Sequence, residues 1–379
     1  MPDLVQALLQ RLEVAQPLIR EHAAAADGDC DLSEPVTRLL KESGLFKLWV
    51  PTRYGGAELD LPQTLHIYER AARIDGSFGW TVMIGAGGGL FAAYLQPEIT
   101  QRLFSPPDAV VAGSGAPHGR AERVPGGYRV TGRWRYASGA RHASVFTANC
   151  IVTRGREPER DAADRPLIRA MVFAPTDVSI IRTWDSLGMR GTGSHDMAVQ
   201  DVFVPEDHTF SLFTDPPRER GALYRLPFEV LTQLPIAAVA SGIAQHALEA
   251  FANIARAKLA QGEPLSTQPH VHAAYAEAHG QWLAAHLALH ALATRAWDRN
   301  RAQALDDLDR AEIYATCVQL VAGLETAVTK LARLAGMNAI AQSEELNRAW
   351  RDLQTVAAHA AVAPHGLTQA GATFFNELR

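Results

Sequence analysis

The chain has 379 residues, 47% hydrophobic and 20% charged, an ordinary balance for a globular protein but too long for one core, so two or three packed subdomains are expected. A formal charge of −5 provides no polycationic surface, which argues against nucleic acid as a partner. Three scattered cysteines, Cys30, Cys150 and Cys317, allow neither a disulfide framework nor a zinc-ligand spacing, and fit a reducing cytoplasm.

The opening MPDLVQALLQRLEVAQPL turns over with a helical period and carries acids, unlike a secretory leader. No charge-free apolar run approaches the roughly 20 residues of a membrane span, so no membrane association is expected. Helices are predicted from Asp3 to about Ala26, from the cap Ser33 to Gly44, from Leu61 to Ile74 and from Ser77 to about Tyr94. Near Asp108 the pattern changes to short runs rich in Val, Ile, Tyr and Phe, such as YRVTGRWRYA, SVFTANCIVT and MAVQDVFVP, bounded by Gly, Pro or Asp. VPGGYRV signals a hairpin with its turn at Gly126-Gly127, and RGREPERDAADRP reads as an exposed loop. From Leu226 onward strands vanish, and alanine-rich segments near 227–261, 268–299, 305–336 and 343–360 suit an antiparallel four-helix bundle. The expected organisation is α+β: an N-terminal helical domain over residues 1–107, a central β-barrel or sandwich over 108–215 and a helical bundle over 216–379.

Several motifs fail on context. IGAGGGL lies inside a helical pattern, and GSGAPHG runs from strand to strand, so neither offers the helix N-terminus of a dinucleotide site. His279, His286 and His290 share one helix face, but no acidic or Cys partner falls at a natural spacing and no metal is assigned. No G-x-S-x-G elbow occurs.

Two stretches are more informative. On the strand YRVTGRWRYASG, alternation predicts that Tyr136 and Ser138 point to one side, with Gly139 opening space beside them. An aromatic surface next to a small hydroxyl suits a heteroaromatic ring, although an ordinary sheet with a Gly bend explains the same residues. In RDLQTVAAHAAVAP, helical spacing puts Arg351, Asp352, Thr355 and His359 on one polar stripe, which either lines a cavity or is solvated.

The helix–β–helix order together with GGYRVTGRWRYASG, DSLGMRGTGSHDMAVQDVFVPE and RAWRDLQT resembles the acyl-CoA dehydrogenase superfold over nearly the whole chain. In that family the strand motif contacts a flavin ring, which implies cofactor-binding roles for Tyr136, Ser138 and Gly139, with Ser138 a hydrogen-bond donor near flavin N5. Two departures matter. The glutamate that serves dehydrogenases as base falls on Ala360, and in RAKLAQGEPL the R-x-x-F-G motif that helps hold FAD becomes Arg256 followed by Leu259-Ala260, which leaves Arg256 with an implied cofactor-binding role.

Both departures fit the flavin-dependent two-component monooxygenase branch of the superfold, which includes aromatic, indole and dibenzothiophene-type hydroxylases. That resemblance implies a reduced flavin, FMNH2 or FADH2, supplied by a separate NAD(P)H:flavin reductase, with O2 as co-substrate. Dioxygen and the reduced flavin form a C4a-hydroperoxide that hydroxylates a small phenol- or indole-like aromatic. His359, Ser138 and His118 are the implied catalytic residues, Trp80 and His118 the pocket wall, and the assembly a cytoplasmic homotetramer. Arg351 and Asp352 are expected to form a structural pair, and His142 to hydrogen-bond locally. The alternative is an acyl-CoA dehydrogenase with its base relocated, for example to Glu249.

Overall fold

The computed structural model describes residues 2–377 apart from Ala162 and Gln261. Residues 1 and 379, at the ends of the expected outer domains, lie outside the described residues, as does one position in each of RGREPERDAADRP and RAKLAQGEPL.

The N-terminal third contains α1 (Pro2–Asp29), α2 (Glu34–Ser43), α3 (Leu61–Ile74), α4 (Gly76–Gly87) and α5 (Pro97–Phe104). Side chains set the starts of the middle helices: Asp60 accepts from the Gln63 N–H at 2.8 Å to cap α3, and Asp75 accepts from the Phe78 N–H at 3.0 Å to cap α4. The helix expected to continue to Tyr94 instead tightens at Gly88 into a 3₁₀ turn, Gly88–Ala93. Glycines are poor helix formers, and here they serve close packing. A methyl group on Gly85 would lie 2.4 Å from the Phe46 ring, and one on Gly88 would lie 2.5 Å from Val111 Cβ.

The middle of the chain forms β1 (Val111–Val124), β2 (Gly127–Ala137), β3 (Val145–Arg154), β4 (Glu157–Pro158), β5 (Ile168–Phe173), β6 (Ser179–Ile181), β7 (His195–Pro205) and β8 (Thr209–Phe210). They make one sheet in the order β6-β7-β2-β1-β3-β5-β8, with β4 alongside β3. This corrects the expected barrel or sandwich: the sheet stays open, and its outer strands β6 and β8, three and two residues long, are too short to pair into a closed wall. The β1–β2 hairpin turns at Pro125-Gly126, one residue earlier than expected. Val124 pairs with Gly127, Gly126 takes φ 81°, and Gly127 opens β2. Tyr128, Val130, Trp134, Phe146, Met171 and Met197 bury the sheet's own core.

The remainder comprises α6 (Val230–Ala257), the two-strand tip β9 (Leu259–Ala260) and β10 (Glu263–Pro264), α7 (Pro269–Ala302), α8 (Asp307–Ala335), α9 (Glu345–Ala357) and α10 (Leu367–Glu377). The last helix is one that periodicity did not anticipate. The two helical regions share a single core. Leu65, Tyr68 and Ala72 of α3 pack with Ala238 and Ile243 of α6 and with Leu346 and Leu353 of α9. A methyl group on Gly242 of α6 would lie 2.2 Å from the Glu69 carbonyl, so the two backbones are in near contact. Each fully buried Leu or Phe in this core contributes roughly 1.5–3 kcal/mol. That shared core brings α4, the end of β2 and the segment after α9 to one place. No helix among the described residues is long and apolar enough to cross a membrane.

Candidate active site

A buried charged cluster fixes the platform. Arg348 of α9 bonds Asp75, the α4 cap, at 3.2 Å. Arg351 reaches both carboxylate oxygens of Asp27 on α1, at 3.0 and 2.8 Å, and the Leu187 carbonyl at 2.8 Å. Asp352 accepts from the Met189 N–H at 2.5 Å, and its Oδ2 has no partner among the described residues. Burial, reinforced by the charge of Asp75, pushes the Asp352 carboxyl well above the usual carboxylate range, outweighing the Met189 N–H and the guanidiniums of Arg348 and Arg351. Arg351 and Asp352 therefore do not pair with each other. Each ties α9 to a different element, and together they pin the loop 182–194 against the helices. Gly188 is needed there, because a methyl group on it would lie 2.1 Å from the Arg351 carbonyl.

The pinned loop carries a chain of hydroxyls whose direction can be deduced. Thr192 Oγ1 lies 2.7 Å from the Met189 carbonyl, which can only accept, so the Thr192 proton points there. Ser194 must then donate to Thr192 across 2.6 Å, and Ser138 must donate to Ser194 across 2.7 Å. Trp80 Nε1 donates to Ser138 Oγ at 3.2 Å. The buried Ser138 hydroxyl has thus committed its proton and one lone pair, leaving one lone pair as an acceptor. The donor role expected of Ser138 toward a flavin would need this chain of hydroxyls to turn over.

Over Trp80 sits His359, ring centroids 5.5 Å apart and planes inclined by 59°. The expected helical stripe does not reach this histidine. α9 ends at Ala357, and His359 (φ −71°, ψ 134°) begins the 3₁₀ turn Ala360–Val362 instead. Its Nδ1 accepts from the Ala361 N–H at 3.2 Å, which places the proton of the neutral ring on Nε2. His359 is exposed in the single chain, while the protein packed around its ring lowers its pKa by desolvation. Among the described residues no hydrogen bond or ion pair joins a carboxylate to the imidazole. Ala360 beside it has only a methyl group. Glu249 is engaged elsewhere, 2.6 Å from Arg73 and 3.8 Å from Arg20.

The other expected site residues fall around this group to different degrees. Tyr136 and Ser138 do not share an environment as strand alternation predicted. Pairing with β7 shifts register between Trp134 and Ala137, Tyr136 takes φ 67°, and the Ser138 N–H bonds back to the Tyr136 carbonyl at 2.9 Å. The Tyr136 ring is 62% exposed and meets the edge of Trp184 at 5.9 Å, leaving an aromatic face open next to the buried hydroxyls. Gly139, at φ 74°, donates its N–H to the Thr192 carbonyl at 2.9 Å and joins the two loops.

His142 is buried against Phe46 and bonds locally through its backbone N–H to the Gly139 carbonyl at 3.1 Å, while its Nε2 has no partner among the described residues. Burial lowers its pKa to about 4. His118 is exposed in the irregular part of β1 between Ser114 and Gly119 and is not hydrogen-bonded to this group. Arg256 lies at the end of α6, bonded to Asn253 at 3.2 Å, next to the exposed tip carrying Leu259. Sequence reasoning passed over Thr192, Ser194, Met189 and Trp184. Met189, Thr192 and Ser194 lie in GMRGTGS, read only as part of a family motif, and its small hydroxyls spaced by glycines do not reveal the strand end it folds against.

A buried acceptor, an open aromatic face and a neutral imidazole fit a reduced flavin, whose N5 carries a proton that an acceptor can take. The comparisons agree. Residues 10–106 match the family model "Acyl-CoA dehydrogenase, N-terminal domain", and residues 234–364 match "Acyl-CoA dehydrogenase, C-terminal domain". The chain is 30% identical over 365 residues to a pigment production hydroxylase of Rhodococcus sp. (strain ATCC 21145), covering 93% of this chain and 92% of that one. It is 29% identical over 364 residues to an indole-3-acetate monooxygenase of Pseudomonas putida, covering 95% and 92%. It is 28% identical over 379 residues to the flavin-dependent monooxygenase oxygenase subunit HsaA of Rhodococcus jostii (strain RHA1), covering 94% of each. Among solved structures, XiaF from Streptomyces sp., in complex with FADH2 and glycerol, superposes with a TM-score of 0.90 at 26% identity over 99% of this chain and 96% of that one.

Proposed function

Because this chain belongs to the acyl-CoA dehydrogenase family, in its branch of flavin-dependent monooxygenase oxygenase components, we propose that it hydroxylates a small aromatic or heteroaromatic compound, phenol- or indole-like. The observation that carries this reading is the neutral His359 imidazole over Trp80, next to a methyl group at Ala360 where a dehydrogenase places its glutamate. Bound reduced flavin, FMNH2 or FADH2, supplies the electrons that activate dioxygen.

The side chains then have separate tasks. Ser138 Oγ accepts a hydrogen bond from the cofactor, oriented by Ser194 and Thr192 behind it. His359 Nε2–H would donate a hydrogen bond to the oxygen being transferred or, with the ring's single proton moved to Nδ1, Nε2 would take a proton from a substrate hydroxyl or ring N–H to give the imidazolium. Trp80 and Tyr136 present aromatic surface to a flat substrate and exclude water from it. Asp352, protonated and buried, holds Met189 and so the hydroxyl chain in register. His118 faces the substrate from β1, and Arg256 contributes to cofactor binding from the end of α6.

Support for partners comes from the relatives. An oxygenase subunit needs a separate NAD(P)H:flavin reductase. The apolar pair Leu283 and Leu287, 41% and 59% exposed on α7, fits a homotetramer joined through an antiparallel bundle of the long C-terminal helices, in the cytoplasm.

The test supplies reduced flavin and oxygen, with and without an indole or a phenol, and measures oxygen consumed against product formed. Coupled consumption with aromatic substrate is expected. Anaerobic bleaching of a yellow protein by an acyl-CoA would overturn the reading in favour of desaturation, and neither activity would indicate a binding protein.

A further inference from the structure

Where α3 packs against α6 and α7, four chemistry-bearing residues meet that the proposed oxygenase reaction does not use. Glu69 of α3 is buried between three helices. Its Oε1 receives Ser241 Oγ of α6 at 2.5 Å and His286 Nδ1 of α7 at 2.9 Å, and its Oε2 lies 2.8 Å from His290 Nε2. One turn before Glu69 on the same face, the exposed His66 stacks flat on His290, with ring centroids 4.0 Å apart and planes 8° from parallel. The ligand atoms of His66, Glu69 and His290 all lie within 4.8 Å of one another.

An ion pair between α3 and α7 needs one imidazole, and three surround this carboxylate. The Ser241 hydroxyl and the imidazoles of His286 and His290 converge on the Glu69 carboxylate and fix the orientation of its oxygens. No side-chain hydrogen bond engages the His66 ring among the described residues, so its nitrogens are open to a ligand. His290 Nδ1 is buried with no partner among the described residues, so the ring can move its proton there and release Nε2. Two imidazoles and one carboxylate on two rigid helices, with His286 and Ser241 orienting the carboxylate, make a donor set suited to a first-row divalent cation, zinc above all.

We propose that His66, Glu69 and His290 bind one zinc-type divalent cation, with His286 positioning the carboxylate and solvent completing the shell at the exposed His66 edge. Bound there, the cation cross-links α3 of the N-terminal helices to α7 of the C-terminal helices. Sequence spacing concealed the site because the acid comes from α3 and the histidines HLALH from α7, whose pairing only the folded chain brings about.

The test uses the full-length protein stripped with a chelator, with no flavin present. Zinc is titrated in competition with a chromophoric chelator, and cobalt(II) is added as a spectroscopic probe. One equivalent per chain, a cobalt ligand-field spectrum and a zinc-dependent rise in Tm are expected. His66→Ala removes an exposed ligand without disturbing the core and lowers zinc affinity at least tenfold, abolishing the Tm rise. His286→Ala lowers affinity by about 10- to 100-fold while keeping the stoichiometry. His279→Ala, on α7 but outside the cluster, leaves binding unchanged. Absence of stoichiometric binding, or zinc affinity in His66→Ala equal to that of the parent, overturns the proposal.

Discussion

Trp80 of α4 and His359 beyond α9 meet with ring centroids 5.5 Å apart, while the Trp80 indole N–H donates to Ser138 at the end of β2. Three distant segments thus converge on one indole. The geometry places an imidazole and a hydroxyl at the two ends of one aromatic surface, and the predictions below follow from it.

Replacing His359 with alanine removes the Nε2–H that stands over Trp80. His359→Ala is expected to keep oxidising reduced flavin but to release mostly hydrogen peroxide, with the rate of product formation lower by about 10²-fold or more. Oxygen electrode traces compared with product assays check this. Because burial lowers the His359 pKa, the ring is neutral at neutral pH and gains its proton only below its ordinary value near 6.5. The ratio of product to oxygen should therefore hold through neutrality and change only on the acid side.

The direction of the hydroxyl chain depends on Thr192. Thr192→Val removes the proton committed to the Met189 carbonyl, while Trp184 Nε1, at 3.0 Å, continues to satisfy that carbonyl. Ser194 can then donate toward Ser138, freeing the Ser138 proton and favouring a flavin N5 that accepts. Preference for reduced over oxidised flavin should fall by roughly fivefold, the equivalent of one hydrogen bond of about 1 kcal/mol. Separate equilibrium titrations with the two redox forms measure it.

Asp352 supplies a stability prediction with a defined sign. Its folded pKa is raised above the unfolded value near 3.9, so between that pH and neutrality the native chain holds a proton the unfolded chain has lost. Its contribution to stability is complete below about pH 4 and declines as pH rises, by at most about 1.4 kcal/mol per unit. Asp352→Asn, which mimics the protonated acid, should cancel that decline. Urea melts of both proteins at about pH 5 and about pH 7 show it as a difference in slope between them.

Gly188→Ala tests the pinning of the loop. The added methyl group would lie 2.1 Å from the Arg351 carbonyl, so either α9 or the loop must shift. A loss of about 1–3 kcal/mol in stability is expected, together with poorer coupling of oxygen use to product. Denaturant midpoints and peroxide assays on the same preparation distinguish it from a neutral surface change.

Much of the architecture was legible because hydrophobic period is a local property. The Leu61–Ile74 helix, the run of short strands and the long alanine-rich helices each follow from side chains within one element. Open versus closed sheet was not legible, because it depends on how short β6 and β8 are in the folded chain, and α10 was missed in a segment broken by Pro364 and Gly366. His359 was singled out for the wrong local reason, a helical stripe that stops at Ala357. The convergence of Trp80 and Ser138 with it was anticipated only through family resemblance.

The amino-acid sequence alone determined which groups this protein has to work with: a methyl group at Ala360, an imidazole at His359, and Tyr136 and Ser138 near the end of a strand. Tertiary structure decided what those groups can do. The proton on Ser138 points away from the open aromatic face only because Thr192 and Ser194 arrive from another loop, and Glu69 acquires its histidines only because α3 packs on α7. Hydrogen-bond direction and ligand convergence are set by side chains far apart in the chain, so they come into being when distant elements pack together.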